Sequence, residues 1–98
     1  MIAIDTAFYI SLYIKTHQGF RSFARFDIGN KGDLARYLFE KLKGDKEDVE
    51  DCVIQMDLME TRNNLPVNLN VIGCTLEEMA NNCKVICKKV FKSFTLDP

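Results

Sequence analysis

The sequence predicts an α+β fold, a two-layer sandwich in which both helices lie on one face of a largely antiparallel sheet. The order of its sequence patterns and its composition predict this fold. Four stretches of alternating hydrophobicity and two helical stretches with an apolar side occur in the order ββαββα. The chain has 98 residues, 47% hydrophobic and 28% charged, which is typical of a globular protein. A chain of this length is expected to form a single domain over residues 1–98.

The first two elements are predicted to be the strands of a β-hairpin. Residues 8–14 and 20–28 have apolar side chains at alternate positions, the period of a half-buried strand. Residues 16–19 form the loop between them, in which Gly19 supplies a positive φ. The residues predicted to face the core are Phe8, Ile10, Leu12, Ile14, Phe20, Ser22, Ala24, Phe26 and Ile28. The residues predicted to face outward are Tyr9, Ser11, Tyr13, Lys15, Arg21, Phe23, Arg25 and Asp27.

The third element is a helix predicted over residues 31–43. Asn30 is a suitable N-cap, and Asp33 places a negative charge in the first turn. Gly44 stands where a left-handed C-terminal cap is expected. Residues 45–51, here called the connector, hold five carboxylates and one lysine, which predicts a solvated segment. The apolar residues at helical spacing are Leu34, Ala35, Leu38, Phe39 and Leu42.

Two further strands and a second helix are predicted in the rest of the chain. Residues 52–59 alternate, and residues 67–71 alternate with their apolar members facing the core. Pro66 lacks an amide hydrogen, so the fourth strand is expected to be an edge strand or an extended arm. Thr75 and Glu78 form a capping box that begins the second helix. Its single apolar side is predicted to contain Leu76, Met79, Ala80, Cys83, Ile86, Cys87, Val90, Phe91 and Phe94.

The sheet face without helices is the candidate functional surface. It is expected to display aromatic side chains between basic groups, together with Gln55, Asp57, Asn68 and Asn70 from the second pair of strands. Aromatic residues and arginine are enriched in protein interfaces, so we predict a protein partner, with a homodimer as the favoured case. Simple packing of the aromatic residues across the hairpin is the alternative. The interface candidates are Tyr9, Tyr13, Arg21, Phe23 and Arg25.

Two other functions remain open from the sequence. The same face is compatible with single-stranded nucleic acid, which stacks on aromatic rings, although a net charge of −1 does not favour this partner. A thiol-dependent enzyme is the second alternative. Cys74 precedes a helix N-terminus, which lowers a thiol pKa, and His17 is the single histidine available as a base. The two are far apart in the sequence, and we assign no catalytic residue.

The sequence indicates no cofactor, metal site or membrane segment. Cys52, Cys74, Cys83 and Cys87 lack C-x-x-C spacing, and a free cysteine usually acts as a small hydrophobic residue. The most apolar stretch, residues 7–14, is far shorter than the roughly 20 residues that span a bilayer. Residues 1–5 carry no positive charge of the kind that begins an export signal. We therefore expect a cytoplasmic location with reduced thiols.

Overall fold

Residues 6–92 are described by a computed structural model, and they form four strands and two α-helices in the order ββαββα, with one short 3₁₀-helix at Val49–Asp51 before the third strand. This confirms the predicted α+β class and the predicted order of elements. The predicted end of the second helix at Phe94 lies outside the described residues. The strands are β1 (Thr6–Thr16), β2 (Gly19–Gly29), β3 (Ile54–Arg62) and β4 (Leu65–Cys74), and the helices are α1 (Gly32–Glu40) and α2 (Leu76–Phe91).

All four strands belong to one antiparallel sheet with the order β2-β1-β3-β4. The central strands β1 and β3 come from different hairpins, and each hairpin also supplies one edge strand. β4 is therefore the edge strand that Pro66 indicates, and it pairs with β3 rather than forming an arm. Leu38 of α1 and Ile86 of α2 belong to one buried cluster with Ile10 of β1. Both helices thus cover the same face of the sheet, as predicted.

A bulge in β2 changes which of its residues share a face. Phe23 is the extra residue of this bulge. Beyond it, Ser22 pairs with the outward residue Tyr13, and Arg21 pairs with Ile14, which lies on the helix-covered face. Strict alternation cannot anticipate this, because a single extra residue reverses the phase of the remaining strand. The predicted faces of three residues are therefore wrong: Phe20, Arg21 and Ser22.

A bulge in β4 has the same effect on the residues around it. Leu69 is the extra residue of this bulge. The residues before it and those after it therefore alternate between the two faces with opposite phase. Asn68 lies on the outer face, as predicted. Asn70 pairs with Leu58 and lies on the helix-covered face, so its outward prediction is wrong. Val71, predicted to face the core, lies on the outer face opposite Asp57.

α1 is shorter than the predicted helix over residues 31–43. Lys31 rather than Asn30 occupies its N-cap position, and its last residue is Glu40. Gly44 is therefore not its left-handed cap. Glycine is required at this position for close packing, since a β-carbon there would lie 2.7 Å from the carbonyl oxygen of Gly73. The apolar spacing predicts the helix but not its end, because contacts with β4 hold the chain that follows it.

α2 begins at the predicted capping box. The Thr75 hydroxyl accepts the Glu78 amide at 3.1 Å, and the Glu78 carboxylate accepts the Thr75 amide at 2.9 Å. The apolar residues of α2, however, do not form one buried side. Ile86 is fully buried, whereas Leu76 and Phe91 are 57% and 60% exposed. The prediction of one continuous core-facing side is wrong, because only part of the apolar side of α2 faces the core.

A buried asparagine joins α2 to the chain that follows α1. Asn82 is fully buried, and its Oδ1 accepts the Lys43 amide while its Nδ2 donates to the Lys43 carbonyl oxygen, each at 2.8 Å. The Cys74 thiol donates to the same carbonyl at 3.3 Å. These bonds provide partners for the amide and the carbonyl of Lys43, just beyond α1, where the sequence predicts a glycine cap instead. Asn82 is absent from the predicted core.

Candidate interaction surface

The outer sheet face consists of a closed centre and an open end. In residues 6–92 no helix packs on this face, yet Tyr9, Ser11 and Asp57 near its centre are each less than a tenth exposed. Toward the β1–β2 turn the exposure rises, and Phe23 is half exposed. The surface is therefore not the uniform aromatic platform that the sequence predicts.

The closed centre is covered in part by a contact within the β1–β2 hairpin. The Arg25 guanidinium lies over the Tyr9 ring, 3.8 Å from its centroid, and Arg25 Nε pairs with the Asp27 carboxylate at 2.9 Å. Two of the five interface candidates, Tyr9 and Arg25, are therefore engaged with each other. This arrangement matches the alternative of simple packing across the hairpin for these two residues.

Asp57 forms the other part of the closed centre. Gln55 Nε2 donates to its Oδ1 at 2.8 Å, and Asn68 Nδ2 donates to its Oδ2 at 3.0 Å. Burial raises the pKa of Asp57, and the two amide hydrogen bonds oppose that rise. Asp57 lies on the outer face whereas Glu60, which pairs with Phe8, lies on the helix-covered face. The two carboxylates therefore do not form a catalytic pair.

We expect the Asp57→Asn variant to become progressively more stable than the wild type as the pH rises from 3 to 7. The folded state holds the Asp57 proton more tightly than the unfolded chain, in which the pKa of aspartate is about 4. Ionisation of Asp57 therefore lowers the free energy of unfolding as the pH rises, and asparagine removes this loss. Urea unfolding at both pH values checks the prediction. An unchanged difference in stability between the two pH values would contradict it.

The end of the β1–β2 hairpin is exposed on both faces. Leu12 on the helix-covered face is 1% exposed, whereas Ile14, two residues later on that face, is 38% exposed. The helical layer thus stops short of the turn. Three of the interface candidates, Tyr13, Arg21 and Phe23, lie at this end. We call Tyr13, Ile14, Arg21 and Phe23 the hairpin-end patch.

The charge near this patch is positive. Residues 6–26 contain Lys15, Arg21 and Arg25 and no carboxylate. The Lys15 ammonium donates to the Glu50 carbonyl oxygen at 2.6 Å, and Arg25 pairs with Asp27. Arg21 is exposed, and within residues 6–92 no carboxylate forms an ion pair with it. Arg21 is therefore a cation that remains available to a binding partner.

Known proteins provide no function that could be transferred to this surface. No family model, curated protein or solved structure matches the chain. Between residues 6 and 92, neither helix combines the length and apolar character needed to cross a membrane. The function must therefore be argued from the geometry of the chain itself.

Cys74 is poorly placed for nucleophilic catalysis. Its side chain is fully buried and its thiol donates to the Lys43 carbonyl oxygen. Burial, with a smaller contribution from the nearby Glu78 carboxylate, raises the pKa of Cys74 to about 11. A thiol with this pKa is protonated at neutral pH and does not act as a nucleophile. The structure therefore does not support the thiol-enzyme alternative or its proposed partner His17, which is exposed in the β1–β2 turn.

An open cleft of about 570 Å³ lies between the connector and the start of α2. Asp45 in its wall accepts the amides of Asp48 and Glu47 at 3.1 and 2.8 Å, and these bonds lower the pKa of Asp45. Among the described residues no three His, Cys, Asp or Glu side chains are grouped to hold a metal ion. The Asp45 carboxylate thus shapes the connector, which is mostly exposed as predicted.

Proposed function

We propose that this protein is a protein-interaction module that binds its partner through the hairpin-end patch. The observation that supports the proposal is the exposure of Ile14 beyond the helical layer, opposite the unpaired cation of Arg21, with the half-exposed Phe23 two residues further along β2. The few residues that dominate the binding energy of protein interfaces are enriched in aromatic residues and arginine. We place this function in the cytoplasm as part of the same proposal, because four free cysteines suit a reducing compartment.

The geometry favours contact through the patch rather than through a sheet edge. The edge strand β2 contains the bulge at Phe23, and the edge strand β4 contains Pro66 and the bulge at Leu69. Bulges and proline disfavour the addition of a further strand. Tyr9 and Arg25 have a supporting role in this proposal, because their stacking stiffens the hairpin that presents Phe23.

The chemistry of the patch suits a protein segment that carries a carboxylate beside an apolar side chain. Arginine forms two parallel hydrogen bonds with a carboxylate, and Arg21 is the free cation here. Phe23 and Ile14 supply the apolar contact. Single-stranded nucleic acid is less well suited, because the Tyr9 ring is covered by Arg25 and is not free to stack on a base.

A random peptide library displayed on phage tests this proposal with the purified protein. We expect the enriched peptides to carry Asp or Glu beside an aromatic or aliphatic residue. Their affinity should fall by about tenfold or more in the Phe23→Ser variant and in the Arg21→Gln variant. Phe23 and Arg21 are exposed, so both variants should keep the wild-type circular dichroism spectrum.

The control variant is Leu65→Ser, which changes an exposed apolar residue at the turn of the other hairpin. It should bind the selected peptides as tightly as the wild type. Selection of no peptide that depends on Phe23 would overturn the proposal. It would also be overturned if a single-stranded oligonucleotide bound with strong salt dependence and lost its affinity in Arg21→Gln.

A further inference from the structure

α2 carries a row of apolar side chains that no other described part of the chain covers. We call Leu76, Ala80, Cys87 and Phe91 the solvent-side row. All four residues are exposed, and their spacing of four and seven residues places them on one side of the helix. Ile86 and Asn82 on another side are fully buried in the core. A row of exposed apolar side chains beside the buried side of a helix is a candidate surface for contact with a second molecule.

Three members of the row, together with the neighbouring Cys83 and Val90, have the spacing of a helix that pairs with another helix. Apolar residues occur at positions 76, 80, 83, 87 and 90, in steps of four and three, which is the heptad pattern of coiled coils. Cys83 and Val90 are partly buried and lie between the row and the core. The row extends along α2, which has 16 residues and is about 24 Å long. It is long enough for a helical partner.

The charges beside the row indicate which helix can pair with it and in which orientation. Glu77 lies at the N-terminal end, and Lys84, Lys88 and Lys92 follow on the same flank toward the C-terminal end. An identical helix running antiparallel brings Glu77 next to Lys88 of the second copy, at both ends of the pair. In a parallel pair this flank of one helix lies opposite the other flank of the second copy, which holds Met79 and Ile86, so Glu77 meets no lysine there. The charge pattern is therefore complementary to itself in the antiparallel orientation only.

The sizes of the side chains fit the same arrangement. When two copies of α2 cross near residues 83 and 84, Leu76 of each lies near Phe91 of the other. The small residue Ala80 then lies opposite Cys87 of the second copy. Small residues at the centre allow the two helices to approach closely, while the large residues close the ends of the contact.

We propose that α2 pairs antiparallel with α2 of a second copy and so forms a symmetric dimer. This proposal does not rest on the function proposed for the hairpin-end patch. The dimer does, however, determine where the two hairpin-end patches lie relative to each other. α2 follows Cys74, the last residue of β4, and the register places Cys74 beside Ile54 and Ile54 beside Ile14 at the hairpin end. An antiparallel dimer therefore presents its two hairpin-end patches at opposite ends, a geometry that suits bridging two partners.

The first test is the solution mass across a concentration series. The solution mass of the wild type should approach twice the chain mass of 11.3 kDa as the protein concentration rises. Leu76→Asp should raise the dissociation constant of the dimer by about tenfold or more. Leu65→Asp, which changes an exposed leucine outside α2, should leave it unchanged. A wild type that stays monomeric up to its solubility limit, or equal effects of the two variants, would overturn the proposal.

The second test reports the orientation of the helices. Ala80→Cys is made in a Cys83→Ala background, which prevents a disulfide within one helix. Oxidised glutathione should then link the introduced thiol to Cys87 of the other copy, giving a covalent dimer. The background variant alone should give none. A covalent dimer of the background through two Cys87 residues would show a parallel pair and overturn the antiparallel arrangement.

A charge exchange separates this interface from the hairpin-end patch. Glu77→Lys should weaken the dimer, and adding Lys88→Glu should restore most of the lost affinity. Phe23→Ser should leave the dimer unchanged while it lowers the affinity for the selected peptides by about tenfold or more. Loss of the dimer in Phe23→Ser with no effect of Glu77→Lys would move self-association to the hairpin and overturn the pairing of α2.

Discussion

The Asn82→Ala variant is expected to lose about 2–4 kcal/mol of unfolding free energy. The substitution leaves the Lys43 amide and carbonyl without their partners at Asn82 and also opens a small cavity among buried residues. For a domain of this size the melting temperature should fall by about 10–20 °C. Thermal and urea unfolding followed by circular dichroism measure the change. The neighbouring Asn81→Ala is the matched control, because Asn81 is exposed.

The Asn82→Asp variant tests the cause of that loss. An aspartate keeps the oxygen that accepts the Lys43 amide but removes the group that donates to the Lys43 carbonyl. Its burial should raise the carboxyl pKa in the folded state, so the variant should lose stability as the pH rises from 4 to 7. A protonated carboxyl donates to the carbonyl and recovers part of the bond at low pH. Equal losses at both pH values would contradict this explanation.

The order and type of the elements could be predicted because the signals for them are local. Alternation in residues 8–14 and the capping box of Thr75 and Glu78 depend on neighbours within a few positions. Such signals do not depend on the rest of the fold, and the structure confirms both. Pro66 gave the position of β4 at the sheet edge for the same reason, since its missing amide hydrogen excludes it from a central strand.

The faces of the edge strands could not be predicted in full because bulges leave no mark in hydrophobicity. Phe23 and Leu69 are ordinary strand residues in the sequence, yet each reverses the alternation that follows it. The candidate set was affected directly. Arg21 lies on the helix-covered face and not on the outer face. The Arg25 guanidinium stacks on the Tyr9 ring, so neither side chain is free to contact a partner.

Asn82 was missed because its partner lies 39 positions away in the sequence. A polar residue next to an apolar stripe is normally assigned to solvent. One signal could have identified it: Met79, Asn82 and Ile86 follow one another in steps of three and four, so they share a side of α2. That side is the buried one, and the exposed apolar residues on the remaining surface of α2 are those of the solvent-side row.

A second large effect is expected for Gly73→Ala, which should lose about 2–3 kcal/mol of unfolding free energy. The added β-carbon would lie 2.7 Å from the Cys52 sulfur and 2.9 Å from the Val49 α-carbon. Gly73 also exchanges two backbone hydrogen bonds with Asp45, at 2.7 and 2.8 Å. The clash should push the connector away from β4. Urea unfolding measures the loss, and faster cleavage of the connector by a glutamate-specific protease should accompany it.

The double variant Cys52→Ala with Gly73→Ala identifies which contact causes the loss. Removing the Cys52 sulfur relieves the shortest contact, but the Cys52 β-carbon and the Val49 α-carbon each remain 2.9 Å from the added carbon. A side chain can rotate away, whereas the Val49 backbone moves only if the connector moves with it. We therefore expect partial recovery of stability and continued rapid cleavage of the connector. Full recovery of both would show that the sulfur alone requires glycine at this position.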